Sequence, residues 1–528
     1  MRRMRETQLK SIYDIAVIGS GFAGSLFAMI ARRLGYSVIL VERGHRPRVV
    51  IGESSTPLSN LLLEDLAKRY DLPLVQPLTK WGSWQRQYPN VACGLKRGFS
   101  FFHHDLQHCD LGEATPENSF LVAASPRNAI ADTHWYRADF DQLLLEQAQQ
   151  LGVEYVDKTH LQHFCDVTNH VELTGKRRDQ EIVVHASFVV DATGPHGCLH
   201  HLLGLHPQPF PNYPATQALY SHFRGVKRAV ETCQAYRSDW PPYPIEDAAV
   251  HHIFNGGWVW LLHFNNGVTS AGVAATEAMA QELRFAEGQP AWNGLLHRIP
   301  SVGAQFADAN AIVPCTHIQR LAFCSSTIVG QRWALLPSAA GFVDPLLSTG
   351  FPLTLLGIGR LAAAMEEHWQ RPSLQDELSR YAASTHAELD ATARLIAALY
   401  ANLNNFDAFR AISLLYFAAA SFSETVRRLD RPHLAEGFLL HNDPRFGPAS
   451  RNLLERARGG VAATATSHFL QEVRRAIEPF DVAGLCAERE PPWYPVDADD
   501  LRKSAWKVGA TLDEITHMLE RSGFSNQP

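Results

Sequence analysis

The chain contains no C-x-x-C pair. Its 8 cysteines, at positions 93, 109, 165, 198, 233, 315, 324 and 486, are scattered over 528 residues. That spacing excludes a zinc ribbon and a redox dithiol. A chain this long builds a core without disulfides, so the thiols are expected to be reduced and mostly buried, in a cytoplasmic protein. Positive charge is also short: 48 Lys+Arg against 54 Asp+Glu leave a net charge of −6, which gives no field for nucleic acid. Ile15 to Ala31 is mostly apolar or small and follows a basic start (MRRMRETQLK), as in a signal peptide. However, Gly19, Gly21 and Gly24 interrupt it, and Arg32-Arg33 stands where a cleavage region belongs. No other stretch supplies about 20 uninterrupted apolar residues, so neither export nor a membrane partner is expected. Repeats and low-complexity tracts are absent, as are the H-E-x-x-H, G-x-S-x-G and P-loop motifs. The histidine pairs at 103–104, 200–201 and 251–252 would face opposite sides of a strand, so no metal site is expected.

What is present is an ordinary globular composition, 46% hydrophobic and 19% charged, incompatible with disorder. YDIAVI (13–18), GSGFAG, the helical SLFAMIARRLG and the strand SVILV (37–41) form a βαβ unit. Ser54–Tyr70 reads as a capped amphipathic helix with Leu62, Leu63 and Leu66 on one face. Residues 75–118 are aromatic, Gly-rich and strand-like, and 139–151 is helical. A strand pair near 170–190 ends in VVDATG, and the region 206–312 mixes strands and loops. WALLP (333–337) is a late strand, and beyond about Gly357 the chain reads as helix-dominated.

Gly19-Ser20-Gly21-Phe22-Ala23-Gly24 lies between a strand and a helix. The glycines allow a tight turn, a close approach of backbone to pyrophosphate and close helix–strand packing, and the helix N-terminus offers free N–H groups to phosphate. Glu42 ends the next strand about 20 residues on, where an acid accepts ribose hydroxyls. The choice between NAD and FAD rests on later returns of the chain. Val189–Gly194, which contains Asp191 and Gly194, and Leu335–Gly341 are two further strand-and-turn units. Three returns to one ligand suit the longer FAD.

At Phe342-Val343-Asp344-Pro345-Leu346-Leu347-Ser348-Thr349-Gly350 the sequence resembles the flavin-dependent halogenases, whose F-x-D-P-x-x-S-x-G stretch lies beside the flavin. Gly52-Glu53-Ser54 resembles their G-E-[SA] turn, and Gly257-Trp258-Val259-Trp260 the first half of W-x-W-x-I-P. Ala92–Phe101 (ACGLKRGFSF) resembles the segment with the halogenase lysine, in wording closest to the free-phenol halogenases of the pyoluteorin-cluster type. Trp135–Asp141 (WYRADFD) resembles the family's R-x-x-F-D stretch.

The resemblance implies an α/β fold: a GxGxxG FAD-binding Rossmann-like module over 11–365, with an inserted mixed β-sheet (about 66–118 and 206–312) on the substrate side. A helical C-terminal region, 366–528, would cover the substrate cavity. Ser54, Arg137, Asp344 and Phe351 would join Gly19, Gly21, Phe22, Ala23, Gly24, Glu42, Asp191 and Gly194 in holding FAD. Thr349 and Gly350 would hold halide, although Ser348 or Thr349 could simply cap the helix that follows. Trp258 and Trp260 alternate along a strand, share a face and would separate flavin from substrate. An ion pair from Arg137 to Asp141 at i+4 is the bland reading of that arginine.

Lys96 would be catalytic. Reduced FAD, O2 and chloride or bromide would give hypohalous acid, which Lys96 would hold by hydrogen bonds or as a haloamine. Phe99, Phe101 and Phe102 nearby would desolvate the amine and lower its pKa. Some family members position this lysine with a glutamate; here Glu53 or Asp344 could take that part. The implied substrate is a small electron-rich aromatic, phenol- or resorcinol-like, in secondary metabolism, either free or on a carrier protein. With no second dinucleotide finger, reduced FAD would come from a separate flavin reductase. The sequence departs from the family at Leu261-Leu262-His263, where x-I-P is usual, and at Pro337-Ser338, where G-D is usual. An FAD-dependent hydroxylase or reductase, or a non-catalytic flavin-binding protein, stays open as an alternative. His103 and His104 could line a substrate cavity or a solvated loop. Phe406, Phe409, Leu414, Leu415, Tyr416 and Phe417 read as core before cavity lining.

Overall fold

The computed structural model describes residues 10–107, 118–195, 197–232 and 243–524; Cys109 and Cys233 lie outside them. A seven-stranded sheet forms the first layer. Tyr13–Ile18 lies parallel between Val38–Val41 and the end of Gln180–Asp191, and Trp333–Leu335 also joins that end in parallel. These strands are buried almost throughout, which is why they read as continuous apolar runs rather than alternating ones. His170–Arg177 and Thr159–Val167 extend the sheet antiparallel. The helix Phe22–Arg33 follows the first strand and carries Arg32 and Arg33 in its last turn, where cations suit the negative end of the helix dipole.

The second layer is a mixed nine-stranded sheet. At its centre Gly98–His104 runs parallel to Ala249–Phe254, which pairs antiparallel with Gly257–His263 and then Val268–Thr276. The two faces of this sheet feed different cores. Trp258, Trp260 and Leu262 belong to the large core shared with the flavin-side sheet and the C-terminal helices, whereas Val259 and Leu261 join a smaller core behind. The period of two in the strand thus puts both tryptophans on the inner face. A separate ribbon, Cys93–Lys96 against Asp132–Trp135, pairs Lys96 with Asp132.

Three expectations are corrected. Residues 76–87 are helical (Gln76–Thr79 and Trp81–Gln87) rather than strand-like. Trp81, Trp84 and Tyr88 recur at helical spacing, and Trp84 is buried and stacks on Phe140 at 5.5 Å. The C-terminal region is helix-dominated as expected and adds one two-residue strand, Trp493–Tyr494, which pairs in parallel with Leu121 and Val122. The six described cysteines are unpaired, but only Cys93 is buried, and Cys165 is exposed. His103 and His104 do not lie in a loop: they end the strand Gly98–His104, with His103 Nε2 3.2 Å from the Leu403 carbonyl and His104 Nε2 2.9 Å from His252 Nδ1.

Among the described residues, one helical span, Leu346–His368, is long and apolar enough to cross a membrane, and 78% of its most apolar window is buried inside the protein. Phe409, Leu414, Leu415, Tyr416 and Phe417 are buried, and Phe409 and Phe417 meet Phe101 edge-on at 5.7 and 6.4 Å.

Candidate active site

The glycine finger closes on itself. Gly19 has φ +100°, in the region that favours glycine, and its N–H donates to the Val41 carbonyl at 2.8 Å. A Cβ on Gly24 would lie 1.9 Å from the Gly19 carbonyl oxygen, so helix and strand touch backbone to backbone. Gly21 is the N-cap of Phe22–Arg33 and makes no side-chain cap, leaving the first N–H groups free. A Cβ on Gly21 would meet the Arg46 and Arg137 guanidinium nitrogens at 3.3 and 3.5 Å. Asp141 holds both cations, Arg46 at 2.7 Å and Arg137 at 2.6 Å. The two readings of Arg137 therefore coincide: it is ion-paired at i+4 and also faces the finger. Arg46 carried no sequence signal, because it reaches the site from a loop outside any motif.

Glu42 is buried and accepts from Ser20 N at 3.0 Å and Gly44 N at 2.8 Å. Burial alone would raise its pKa; Arg48 and these N–H donors outweigh that and hold it below the ordinary value. The Asp191 carboxylate is spent on its own turn, accepting from Thr193 N, Thr193 Oγ1 and Leu199 N at 2.9, 2.6 and 2.7 Å. Ala192, Thr193 and Gly194, rather than Asp191, line the cavity beside it.

That cavity has a volume of about 630 Å³, within the range of cofactor sites. Its wall runs from Gly19–Ala23 and Glu42 past Arg137 and Gly194 to Trp258, Trp260, Asp344, Thr349, Gly350 and Phe351, with Pro337 and Ser338 also on it. Free N–H groups and two arginines at one end, an acid at the ribose position and an apolar aromatic end fit FAD. Phe351 stacks on Trp135 at 4.3 Å. Thr349 precedes the helix Gly350–His368 without a side-chain cap, so no side chain consumes that helix's first N–H groups, and Thr349 and Gly350 line the cavity.

Asp344 is buried, with its pKa pushed up to about 7 by burial and restrained by hydrogen bonds from Leu346 N and the Tyr400 hydroxyl. Tyr400, at the end of the helix Leu374–Tyr400, donates to Asp344 Oδ2 at 2.9 Å and accepts from Trp258 Nε1 at 3.2 Å. The C-terminal region thus ties the tryptophan wall to the F-x-D-P turn. Tyr400→Phe is expected to cost about 1–3 kcal/mol of stability in urea unfolding. It should also move the protonation of Asp344, followed by its infrared carbonyl band, to higher pH, because the charged form loses a donor.

Lys96 is fully buried and is not on the cavity wall. Its Nζ donates to Ser54 Oγ at 2.8 Å and to the Ser55 carbonyl at 2.5 Å, and lies 3.8 Å from the Phe99 ring centroid. Ser54 and His251 do line the cavity, so one hydroxyl separates the amine from it. Burial lowers the Lys96 pKa, and Asp132 opposes that shift. Neither Glu53 nor Asp344 partners Lys96. Both Glu53 oxygens lie near His222 Nε2, at 3.1 and 3.0 Å, and Asp344 is held by Tyr400. Asp132, which no motif contains, stands opposite Lys96 across the ribbon without a hydrogen bond or ion pair to it among the described residues; only strand pairing brings it there. No group of metal-ligating side chains occurs among the described residues.

The FAD dependent oxidoreductase family profile matches residues 14–261. PrnC, the monodechloroaminopyrrolnitrin halogenase of Pseudomonas fluorescens, is 30% identical over 67% of this chain and 61% of its own length. The tetracycline 7-halogenase of Kitasatospora aureofaciens is 29% identical over 67% of this chain and 64% of its own length. The chain is a homologue of the flavin-dependent halogenases. It spans a little under two thirds of the length of these two relatives. Its fold is that of the halogenase PltM: a PltM variant with FAD superposes with a TM-score of 0.77 at 23% identity, over 88% of this chain and 95% of that one. PltM has also been solved with phloroglucinol and FAD. This homologue departs from the W-x-W-x-I-P signature at Leu262 and His263. Leu262 lies on the cavity wall, and Thr269 Oγ1 is 3.1 Å from His263 Nδ1.

Proposed function

We propose that this protein is a two-component flavin-dependent halogenase that acts on a small electron-rich aromatic, phenol- or resorcinol-like, with reduced flavin delivered by a separate reductase. One observation carries the reading: a lysine amine buried outside the flavin-shaped cavity and linked to it through the single hydroxyl of Ser54. When bound, reduced FAD supplies, with O2, the oxidising power that turns halide into hypohalous acid. The protein's own groups do the rest. Arg46, Arg137 and the free N–H groups after Gly21 hold phosphate. Thr349 and Gly350 open a helix whose uncapped N–H groups and dipole attract halide. Trp258 and Trp260 keep the aromatic away from the flavin end, and Lys96 receives and aims the oxidant. PltM's complex with phloroglucinol supports a phenolic substrate.

The test supplies the purified protein with a flavin reductase, FAD, O2, bromide or chloride, and a panel of phenols, pyrroles and indoles. A halide-dependent mass shift with the matching isotope pattern, largest for phloroglucinol or resorcinol, is expected. Oxygenated product at the same rate without halide would instead make it a hydroxylase. Reaction only after an aromatic is loaded on a carrier protein would replace the free-substrate part of the proposal.

A further inference from the structure

We propose that His251 is a second catalytic residue: its Nε2 accepts the O–H of hypohalous acid on the way from the flavin cavity to Lys96. The inference rests on the halogenase reading above. His251 lies in the strand Ala249–Phe254 and is buried, yet it lines the cavity with Ser54, Ala249, Trp258 and Trp260. Its Nδ1 is 3.0 Å from the Ala249 carbonyl. A carbonyl only accepts, so Nδ1 carries the hydrogen and Nε2 keeps a bare lone pair. Nε2 has no hydrogen-bond partner among the described residues, and it is not one of the buried atoms left without a partner. It therefore opens on the cavity, where a donor can reach it.

Packing fixes the ring. The imidazole stacks on Phe101 at 4.6 Å and meets Trp258 at 5.2 Å. It also stacks at 5.9 Å on Phe99, whose ring carries the Lys96 amine at 3.8 Å. One phenyl ring thus touches both nitrogen side chains. The neighbouring tryptophans offer no acceptor: their indole N–H groups are donors, tied to the Tyr400 hydroxyl at 3.2 Å and to Ser270 Oγ at 3.4 Å. The titratable groups around the imidazole are Lys96, His134 and His252. Burial, and then the Lys96 charge, push the His251 pKa down to about 3. The lone pair consequently stays free at neutral pH.

That lone pair discriminates. Hypohalous acid brings one O–H, which the acceptor needs. The hypohalite anion brings none and would set a negative oxygen against the lone pair. The site therefore favours the neutral acid, the more electrophilic form. Ser54 Oγ accepts from Lys96 and so retains its own hydrogen to donate to the oxidant's oxygen. Held by its oxygen, the oxidant keeps its halogen free to react. No bond to His251 forms or breaks, and the imidazole keeps the same tautomer throughout.

The test uses His251→Phe, which keeps an aromatic ring in the stack without a lone pair, and His251→Gln, which keeps an acceptor. Wild type and both variants, with FAD bound, receive one equivalent of hypochlorous acid at pH 7. They are then desalted and unfolded in an aromatic sulfinate, which converts N-chloroamines to stable sulfonamides, and peptide mapping reads the label at Lys96. In His251→Phe that label, relative to surface lysines, should fall about tenfold, the effect of one hydrogen bond; His251→Gln should restore much of it. During turnover with bromide, His251→Phe should release more oxidant to a taurine scavenger per flavin oxidised, with the KM for phloroglucinol unchanged. No Lys96 label in wild type, or equal labelling in wild type and folded His251→Phe, overturns the proposal. A raised KM for phloroglucinol with unchanged oxidant release also overturns it, because His251 would then be a ligand of the phenol. If both variants fail to fold, ¹⁵N NMR of the wild-type imidazole decides: a bare Nε2 at pH 7 supports the proposal and a protonated one overturns it. The labelling needs no turnover, so absence of product with every aromatic would refute the halogenase reading while the label still decides the role of His251.

Discussion

Replacing Lys96 with methionine is expected to reduce halogenated product by roughly a thousandfold or more, the scale of losing an essential catalytic group, while reduced flavin is still oxidised. Methionine is the better probe than alanine. The lysine stem is fully buried, so truncation to alanine would leave a cavity costing about 2–5 kcal/mol, whereas a thioether fills the space. The structure predicts that FAD binding survives either change, because Lys96 does not touch the cavity that fits FAD. The amine's two acceptors, Ser54 Oγ and the Ser55 carbonyl, would lose a donor, and a water or a rotation of the Ser54 hydroxyl can compensate at the cavity edge. The measurement is product by mass spectrometry against flavin oxidation by absorbance in the same reaction. Retained halogenation in a folded Lys96→Met protein would remove Lys96 from the mechanism and with it the strongest support for the proposed function.

Motifs in which one short segment performs one task were legible. The strand, finger and helix at 13–33 could be placed because glycine spacing, the apolar run before it and the acid at 42 are all local. Trp258 and Trp260 were legible for the same reason: a period of two fixes their common face wherever the strand goes. What escaped was brought together by non-local pairing. Asp132 stands opposite Lys96 only because Cys93–Lys96 pairs with Asp132–Trp135, a register that alternation cannot reveal in four-residue strands. Tyr400 sits at the end of a helix whose sequence is simply amphipathic, yet its hydroxyl joins Trp258 to Asp344. Arg46 lies in a loop with neither period nor motif. The misplaced Asp191 shows the converse error. An acid at the end of a buried strand looks like a ligand, but three local donors had already claimed it. Spacing gives the type of a side chain and the face it takes; the partners already claiming its lone pairs come from elsewhere in the chain.

Gly24→Ala should weaken FAD binding by about a hundredfold or more without unfolding the protein. The added Cβ would lie 1.9 Å from the Gly19 carbonyl oxygen and 3.1 Å from both Gly19 C and Ala192 Cβ. None of these is the far end of a flexible side chain. Gly19 is held by its N–H bond to Val41 and by φ +100°; Ala192 is held by its N–H bond to the Ile18 carbonyl at 2.8 Å. Relief therefore requires the helix Phe22–Arg33 to lift from the strand, carrying the free N–H groups after Gly21 away from Arg46 and Arg137. Overpacking of this kind costs about 1–3 kcal/mol, less than the 5–15 kcal/mol stability of an ordinary domain, so the fold should persist. A strain of about 2.7 kcal/mol that binding must remove lowers affinity about a hundredfold. Gly294→Ala, in the helix Gln289–Arg298 with open space around its Cβ, is the control; it should leave FAD binding unchanged and stabilise the protein by about 0.5–1 kcal/mol. FAD titration by flavin fluorescence and urea unfolding of both variants separate the two effects. Wild-type FAD affinity in Gly24→Ala would mean that backbone contact between helix and strand does not position the phosphate site, and that the two arginines on Asp141 hold it alone.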